Sequence, residues 1–325
     1  MIYYQRCKNE CREMIEVKNF LGLILGLLAT ASWGSFYIAG RWLFGEEGEN
    51  INIYLFSFLR FFMAVLVLSV ILFHRQSREE ICRAVKEDWK PFLLIAAIGI
   101  VAESFLVSYA LNFTTAARCS LLANFSPVAT VILAFLLLGE KTSKIGILGM
   151  LAGFAGLILA GSSRGGDVYA ATSMRSLIGD VMALGSSFCW AFFTVYGVKV
   201  SGKYSGMVCM FVGFAIGTVL MSPVLFFTSF AEVVQIPPRV WGGMFYTGVV
   251  TLAFANACWY GALRYLKPGM LGAFGYLSAA ITFTLSVILL KEKFTLQFII
   301  SVMLILGGMA VLMYSKRPEK EQGIN

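Results

Sequence analysis

Long apolar runs separated by short polar segments dominate the chain. Each run is bounded by charge, proline or glycine and is long enough to cross about 30 Å of membrane hydrocarbon at about 1.5 Å per residue. Lipid offers no partner to backbone polar groups, so each run is predicted to be an α-helix. The predicted fold class is an all-α integral membrane protein with ten transmembrane helices. Spans 1 to 10 cover residues 20–40, 52–73, 91–112, 116–138, 145–161, 177–198, 206–230, 240–263, 269–290 and 295–315.

The second half of the chain repeats the first. Residues 110–157 align without a gap on residues 262–309, and a Glu-Lys pair closes the apolar run in both copies. This alignment has a constant offset of 152 residues, whereas Trp33 matches Trp190 at an offset of 157. The loop at 74–90, after span 2, has 17 residues, and its counterpart at 231–242 has 12; this difference of five explains the change of offset. Internal repeats in an apolar chain are typical of transporter folds.

Lysine and arginine positions orient the spans. If the N-terminus is cytoplasmic, the inner segments contain 18 of these residues and the outer segments seven, so both termini are predicted to be cytoplasmic. Each repeat has five spans, an odd number, and the second repeat therefore enters the membrane from the opposite side. The result is a 5+5 inverted-topology repeat, an arrangement that favours alternating access. The predicted boundaries are an N-terminal tail 1–19, a first repeat 20–161, an outer linker 162–176, a second repeat 177–315 and a C-terminal tail 316–325.

Composition and charge exclude several classes of protein. The chain is 58% hydrophobic and 14% charged, unlike a soluble domain. Its net charge of +8 comes from short basic clusters between apolar runs, so no nucleic-acid partner is expected. The 7 cysteines are scattered without a CxxC pattern, and neither a metal site nor a cofactor is predicted.

One segment carries a family signature. Residues 110–141, ALNFTTAARCSLLANFSPVATVILAFLLLGEK, resemble the motif of EamA-type transporters of the drug/metabolite transporter superfamily. Residues 262–293 resemble the weaker second motif of that family and depart from it in having Ala279 where the first copy has Pro127. The resemblance covers essentially the whole chain. It implies ten helices, cytoplasmic termini and movement of small metabolites, often outward.

Two ionisable side chains lie deep in predicted spans. Glu103 lies about 18 Å from the inner face and Arg60 about 13 Å from the outer face, which places them at nearly the same depth. Charged groups in apolar spans are costly and are commonly functional. We expect Arg60 and Glu103 to form an ion pair or to share a polar cavity; a buried pair that only fixes helix packing is the alternative. The repeat position of Glu103 is Ala255, followed by Asn256.

Aromatic and amide side chains extend the predicted cavity. Trp33 and Trp190 lie about 20 Å into their spans, where their rings either stack on a planar substrate or fill space between helices. Tyr37 follows Trp33 by one turn. Asn124 precedes Pro127, which is predicted to free a backbone carbonyl in the middle of span 4; Asn124 lines the cavity or bonds a neighbouring helix. The predicted substrate-binding residues are Trp33, Tyr37, Arg60, Glu103, Tyr109, Asn124, Trp190, Asn256 and Tyr260.

Other noticeable residues receive structural interpretations. His74 ends span 2 and is interpreted as interfacial rather than as a proton relay. Glu140 and Glu292 end spans 4 and 9, where pairing with loop cations or gating is favoured over substrate binding. The spacing of Gly149 and Gly153 predicts close helix packing.

The sequence thus predicts a multi-pass secondary transporter of the cell membrane that exports amino acids or related small, partly aromatic solutes. A proton-coupled antiporter that uses Glu103 is the first alternative, and uncoupled export is preferred to it. A membrane enzyme is disfavoured because the nucleophile-like run GSSRG at 161–165 lies in an outer loop, opposite the only histidine. A receptor or a channel is also less suitable for a repeat of this kind. The expected partners are a small-molecule substrate and membrane lipid, and the protein is a monomer or homodimer.

Overall fold

The computed structural model describes residues 19–36, 39, 53–73, 75–113, 122–162, 174–227, 233–234, 236–290 and 296–315. Helix occupies most of the described part of every predicted span, and no strand occurs within these ranges. The α-helices are Asn19–Phe36, Ile53–Ile71, Arg75–Glu87, Trp89–Leu94, Glu103–Phe113, Ser126–Leu138, Lys144–Ser162, Met174–Tyr196, Val198–Ser201, Gly206–Met221, Pro238–Gly248, Ala255–Ala262, Pro268–Gly272, Phe274–Leu290 and Leu296–Ser315. A 3₁₀-helix at Ser222–Phe227 lies in the last part of span 7.

Several of these helices meet the length and composition that a membrane requires. Five helices in the described ranges are long and apolar enough to cross: Asn19–Phe36, Tyr54–Ile71, Trp89–Val107, Leu177–Ser201 and Gly206–Phe227. Shorter apolar helices occur at Ser126–Leu138, Lys144–Leu159 and Ile299–Leu312. The all-helical prediction is confirmed, while the count of ten crossings and the side of the termini stay predictions.

Span 4 differs from the sequence prediction. Residues 124 and 125 form a turn, and the helix begins at Ser126, so Pro127 lies in the first helical turn. Proline is well tolerated there because its missing N–H has no helical partner to lose. The prediction that Pro127 frees a carbonyl in the middle of the helix is therefore wrong. Span 9 is also interrupted, by a turn at Ala273.

Spans 3 and 8 each contain a π-helical segment, at Ile95–Ala102 and Val249–Phe254. A π-helix bonds residue i to i+5 instead of i+4, so it holds one more residue per bonded turn than an α-helix does. The segments end 152 residues apart, at the offset of the sequence repeat. Both copies of the repeat thus share this backbone form.

The chain divides into two compact units that do not follow the repeats. The first unit contains residues 1–101 and 196–267, and the second contains 102–195 and 268–325. Each unit therefore takes segments from both repeats. The first boundary falls between Val101 and Ala102, inside the π-helical segment of span 3.

In the second unit, glycines bring spans 5 and 10 into backbone contact. A Cβ atom on Gly149 would lie 2.7 Å from the carbonyl oxygen of Gly308, and one on Gly156 would lie 2.8 Å from that of Ser301. Such distances are too short for any side chain, so the helices approach this closely only with glycine at both positions. The close packing predicted from the glycine spacing is confirmed at Gly149.

Glu140 also belongs to the second unit. Its Oε2 atom accepts a hydrogen bond of 3.3 Å from the backbone N–H of Gly269, at the start of span 9. The described contact of Glu140 is therefore with a helix end, and pairing with a loop cation stays a prediction. Its repeat counterpart Glu292 and the histidine His74 lie outside the described residues.

In the first unit, a polar junction of Asp88, Lys203 and Tyr204 joins the start of span 3 to the segment before span 7. The Lys203 ammonium donates to both Asp88 carboxylate oxygens at 2.9 and 3.0 Å, and the Tyr204 hydroxyl donates at 2.7 Å. Both hydrogen bonds lower the pKa of Asp88; that of Tyr204 has the larger effect and that of Lys203 the next. Nearby, the backbone N–H of Ser205 donates to the Glu80 carboxylate.

Candidate functional site

Two tryptophans pack against each other between spans 1 and 8. The ring centroids of Trp33 and Trp259 lie 4.9 Å apart with their planes inclined by 56°. Trp259 is fully buried, whereas Trp33 retains partial exposure. Aromatic pairs in this geometry contribute about 0.5–1.5 kcal/mol beyond the area that they bury. The contact places a large aromatic surface in the interior of the first unit.

A hydroxyl pair links the same two spans. The Ser35 Oγ and the Tyr246 hydroxyl oxygen are 2.7 Å apart, a hydrogen bond in which either group can donate. Tyr246 is 37% exposed, so its hydroxyl is not sealed within the packing. A partly exposed hydroxyl pair can exchange its internal bond for one to a polar solute.

Arg60 brings span 2 to this region. Its guanidinium carbon lies 4.5 Å from the ring centroid of Phe36 in span 1 and 5.4 Å from that of Phe56, one turn earlier in span 2. Both distances are within the range of a cation–π interaction, which is stronger where water is excluded. The two rings therefore hold the planar guanidinium in place.

Span 8 completes the arrangement through its backbone. A Cβ atom on Gly248 would lie 2.9 Å from the carbonyl oxygen of Arg60, so spans 2 and 8 are in close contact at this level. Spans 1, 2 and 8 thus surround one region of the first unit. We call its side chains the arginine–tryptophan cluster: Trp33, Ser35, Phe36, Phe56, Arg60, Tyr246 and Trp259.

Two other predicted site residues lie buried in span 8. Asn256 is 3% exposed, and its Nδ2 donates to the carbonyl oxygen of Leu252 at 2.8 Å. That carbonyl belongs to the π-helical segment, so the amide stabilises the local backbone. Tyr260 is fully buried. Lining of a substrate cavity by Asn256 and Tyr260 stays a prediction, and Tyr37 lies outside the described residues.

The remaining predicted residues belong to the second unit. Glu103 is the first residue after the π-helical segment of span 3, and its Oε2 is 3.5 Å from the Ser104 hydroxyl. Trp190 stacks on Phe193 with centroids 5.1 Å apart and planes inclined by 29°. Asn124 lies in the turn before Ser126, and Tyr109 is 46% exposed. Because Arg60 and Glu103 fall in different units, their pairing stays a prediction.

Sequence reasoning missed part of the cluster. Ser35, Phe36 and Phe56 are ordinary residues of apolar spans. Phe36 is one turn from Trp33 and Phe56 one turn from Arg60, which signalled a shared helix face, but Ser35 carried no such signal. Tyr246 gave no local signal, and Trp259 stood out only as an aromatic residue beside Tyr260, because the importance of both depends on which spans pack together. Within the described ranges, no group of three histidine, cysteine or acidic residues is placed to hold a metal ion.

The long apolar helices and the twofold occurrence of one helical pattern define a multi-pass membrane protein. The chain belongs to the EamA-like transporter family, whose model matches it twice, over residues 20–162 and 177–314. It is therefore a membrane transporter of small solutes. This agrees with the resemblance found in residues 110–141.

Individual relatives support the same class. An uncharacterized transporter of Archaeoglobus fulgidus is 27% identical over 256 residues, which are 78% of this chain and 86% of that protein. The uncharacterized transporter YetK of Bacillus subtilis is 25% identical over 308 residues, 93% of this chain and 89% of that protein. Solute carrier family 35 member F2 of Xenopus tropicalis is 29% identical over 196 residues, 58% of this chain and 46% of that protein. A crystal structure with 18% sequence identity has the same fold, with a TM-score of 0.75 over 92% of this chain and 99% of the other.

Proposed function

We propose that this protein is a secondary transporter of the cytoplasmic membrane that exports amino acids or related small, partly aromatic solutes by alternating access. The proposal includes ten crossings in two inverted repeats, with both termini in the cytoplasm. Inverted repeats support alternating access because two equivalent packings expose a central site to either side in turn. The arginine–tryptophan cluster is the proposed substrate site of the first unit.

The observation that carries this proposal is the contact between Trp33 and Trp259, on a span whose Phe36, one turn after Trp33, contacts the Arg60 guanidinium. Tryptophan side chains usually lie at the membrane interface, where their N–H groups meet water. Trp33 instead lies near the predicted middle of span 1 and packs on a fully buried ring. The tryptophan rings supply an apolar contact, and Arg60 and the Ser35–Tyr246 hydroxyl pair supply polar contacts. A small amphipathic solute needs contacts of both kinds.

A proton-coupled antiporter is the second candidate. It is favoured by Glu103, an acidic side chain at the predicted depth of the membrane centre. A carboxyl group there can exchange a proton for substrate if its pKa lies near the ambient pH. Uncoupled export driven by the substrate gradient is preferred, since proton coupling would depend on Glu103 alone: the equivalent position in span 8 is Ala255.

Counterflow in proteoliposomes tests the transport proposal. Vesicles loaded with an unlabelled amino acid should accumulate the labelled form transiently, because a carrier exchanges solute across both faces of its site. Replacement of Trp33 by alanine should slow this exchange at least about tenfold, if the ring supplies about 1.4 kcal/mol or more of binding. Trp33→Phe keeps an aromatic ring and should retain most of the exchange.

Trp89→Ala is the matched control, because Trp89 is 49% exposed at the start of span 3 and lies outside the cluster. It should leave counterflow unchanged. Absence of counterflow for every amino acid and aromatic acid tested with the wild type would contradict the carrier. An imposed pH gradient separates the two modes: stimulation that disappears in Glu103→Gln supports proton exchange, and no stimulation supports uncoupled export.

A further inference from the structure

We infer that the Tyr246 hydroxyl oxygen accepts a hydrogen bond from an amino group of the substrate, so that the protein selects solutes with an N–H donor. The inference rests on the proposed function and names one determinant of its substrate class. It follows from the direction of a hydrogen-bond chain between spans 8 and 1. The chain runs through the Tyr246 hydroxyl, the Ser35 hydroxyl and the backbone carbonyl of Ser32.

The direction of the chain is fixed because a serine hydroxyl carries a single proton. The Ser35 Oγ donates this proton to the carbonyl oxygen of Ser32 at 2.6 Å. The distance of 2.7 Å between the Ser35 Oγ and the Tyr246 hydroxyl oxygen permits either group to donate. Since the Ser35 proton is already bonded to the carbonyl, Tyr246 is the donor in this second bond.

The bond from Ser35 to Ser32 is also the usual one for a serine inside a helix. The carbonyl oxygen three or four residues earlier is held in place by the helix itself and lies within reach of the hydroxyl. Other helical serines of this protein donate in the same way, at 2.7 or 2.8 Å: Ser32, Ser69, Ser186 and Ser187. The local bond therefore takes the Ser35 proton, and the bond between the spans takes that of Tyr246.

The Tyr246 oxygen consequently offers a solute an acceptor and no donor. Within the described part of the chain, Ser35 is the hydrogen-bond partner of this hydroxyl, and the oxygen keeps lone-pair capacity after its proton is donated. Hydrogen bonds in a chain polarise one another, so donation to Ser35 makes the oxygen a better acceptor. Tyr246 is 37% exposed, and a solute can reach it while the chain stays intact.

An amino group matches this acceptor best. An ammonium group donates charge-assisted hydrogen bonds, which are about twice as strong as neutral ones. A carboxylate or a carbonyl oxygen has no proton to donate and gains nothing from the Tyr246 oxygen. The hydroxyl pair therefore discriminates between solutes by their donors, whereas the tryptophan rings of the cluster contact their apolar part.

The depth of the hydroxyl pair agrees with a site inside the membrane. In the proposed topology, Ser35 lies about 8 Å below the outer face when counted from the inner end of span 1. Tyr246 lies about 9 Å below the same face when counted from the outer end of span 8. Polar groups at such depth are costly and are commonly kept for function.

The hydroxyl pair is not part of the repeated scaffold. At the offset of 157, Ser35 corresponds to Phe192, and at the offset of 152, Tyr246 corresponds to Leu94. Both counterparts are apolar, so the helix packing that the repeats share does not require the two hydroxyls. This points to a role in specificity.

Matched pairs of solutes test the inference by counterflow in proteoliposomes. Phenylalanine with 3-phenylpropionate and leucine with 4-methylpentanoate differ only in the amino group. The wild type should exchange the amino member at least about tenfold faster. In Tyr246→Phe, exchange of the amino member should fall by about ten- to a hundredfold and that of its partner by less than about twofold.

A quaternary solute separates hydrogen bonding from attraction of a positive charge. N,N,N-trimethylphenylalanine keeps the charge of phenylalanine but has no N–H donor. The wild type should therefore exchange it at least about tenfold more slowly than phenylalanine. In Tyr246→Phe this difference should nearly disappear, whereas a difference caused by the size of the methyl groups would remain.

Two further variants complete the design. Ser35→Ala removes the acceptor that fixes the Tyr246 proton, so its preference for amino solutes should lie between those of the wild type and Tyr246→Phe. Tyr265→Phe removes a tyrosine hydroxyl just after span 8, outside the arginine–tryptophan cluster, and should behave like the wild type. Thermal unfolding of each purified variant verifies that the fold is retained.

The outcomes separate the inference from the proposed function. Equal exchange of phenylalanine and its trimethyl form by the wild type would overturn N–H recognition and leave the carrier in place. Equal slowing of both members of each pair by Tyr246→Phe would overturn it as well. If the wild type exchanges no solute of any kind, the carrier proposal fails and the inference fails with it. A preference for N–H donors that Tyr246→Phe loses and Tyr265→Phe retains supports both.

Discussion

Spans 3 and 8 occupy equivalent positions in the two repeats, and they share a backbone form while their side chains differ. Their π-helical segments end at Ala102 and Phe254, 152 residues apart. The next residue is Glu103 in span 3 and Ala255 in span 8, followed by Ser104 and Asn256. The two copies thus share a helix geometry, while the ionisable group appears in one copy only.

The two spans also begin differently. Asp88 stands at the start of span 3 and accepts hydrogen bonds from Lys203 and Tyr204. The residue at the same repeat position in span 8 is Val240, which is buried. The two copies therefore share their helix geometry but differ in their polar side chains. Substitutions at equivalent positions should consequently have unequal effects.

The largest effect is expected from single-residue deletions. Removal of Ile98 or Val250, each inside a π-helical segment, should convert i→i+5 bonding to i→i+4 and leave the flanking helices facing as before. Deletion of Leu106 or Cys258, in the α-helical parts, should rotate all following residues by about 100° and abolish folding. Yield and gel-filtration profile of the four variants measure the difference.

If the deletions in the π-helical segments are as damaging as those in the α-helical parts, the segments are not single-residue insertions in otherwise regular helices. Unequal tolerance between Ile98 and Val250 would instead show that the shared backbone form serves only one of the two spans.

Next in size is the effect of Glu103 on transport. Glu103→Gln should reduce counterflow at least about tenfold, because an ionisable group at this depth is costly and is typically kept for function. Ala255→Gln introduces the same amide at the equivalent, fully buried position of span 8; the added volume there should lower the unfolding temperature, so thermal unfolding is measured beside counterflow for both variants. Normal transport by Glu103→Gln would show that Glu103 is neither a proton carrier nor an essential ligand.

A smaller effect is expected at the polar junction. Since Tyr204 and Lys203 lower the pKa of Asp88, the folded state is stabilised above the unfolded-state pKa of about 3.9. This stabilisation is lost as the pH falls through the lower pKa of the folded state. Asp88→Asn should therefore unfold at a lower temperature than the wild type at pH 7, by the loss of about 1–2 kcal/mol.

Thermal unfolding measured at decreasing pH tests the direction of the Asp88 pKa shift. The gap between the wild type and Asp88→Asn should narrow on acidification below pH 4 and stay constant between pH 6 and 8. Val240→Asn serves as the counterpart in span 8; there, an amide introduced at a buried apolar position should destabilise the protein independently of pH. A gap that widens in acid contradicts the assigned pKa direction.

The smallest effects on stability are expected at Ser104 and Asn256, which follow Glu103 and Ala255. Asn256→Leu removes the hydrogen bond to Leu252 and should cost about 0.6–1.5 kcal/mol of unfolding free energy. Ser104→Ala removes a longer contact of 3.5 Å and should cost less than about 0.5 kcal/mol. Chemical unfolding in detergent compares the two, and equal losses would contradict the structural role assigned to Asn256.

The helical nature of the chain could be predicted because long apolar runs leave the backbone no alternative in lipid. The π-helical segments could not be predicted, since Ile95–Ala102 consists of apolar residues and glycine, as a regular transmembrane α-helix does. The start of span 4 was misplaced because the apolar pattern continues through the turn at Asn124 and Phe125. Hydrophobicity marks where helix is possible, whereas the turn depends on packing.

The sequence predicted those residues of the candidate site that are unusual by themselves in an apolar span. Trp33 and Arg60 stand out because neither belongs at mid-depth in lipid without a reason. Their partners Phe36, Tyr246 and Trp259 depend on the association of spans 1, 2 and 8, and such pairings lie far apart in sequence. The depth of a residue along a helix can be counted from one sequence, but the rotation of that helix and the helices that pack against it cannot be read from it.

The backbone contact between spans 5 and 10 has one more consequence. Shifted by the repeat offset, the pair Gly149 and Gly308 becomes Ser301 and Gly156, and this second pair is also in contact. A surface that meets itself in this reciprocal way is what defines the isologous interface of a twofold homodimer. One polypeptide thus carries inside it a contact of the kind that joins the two identical subunits of a homodimer.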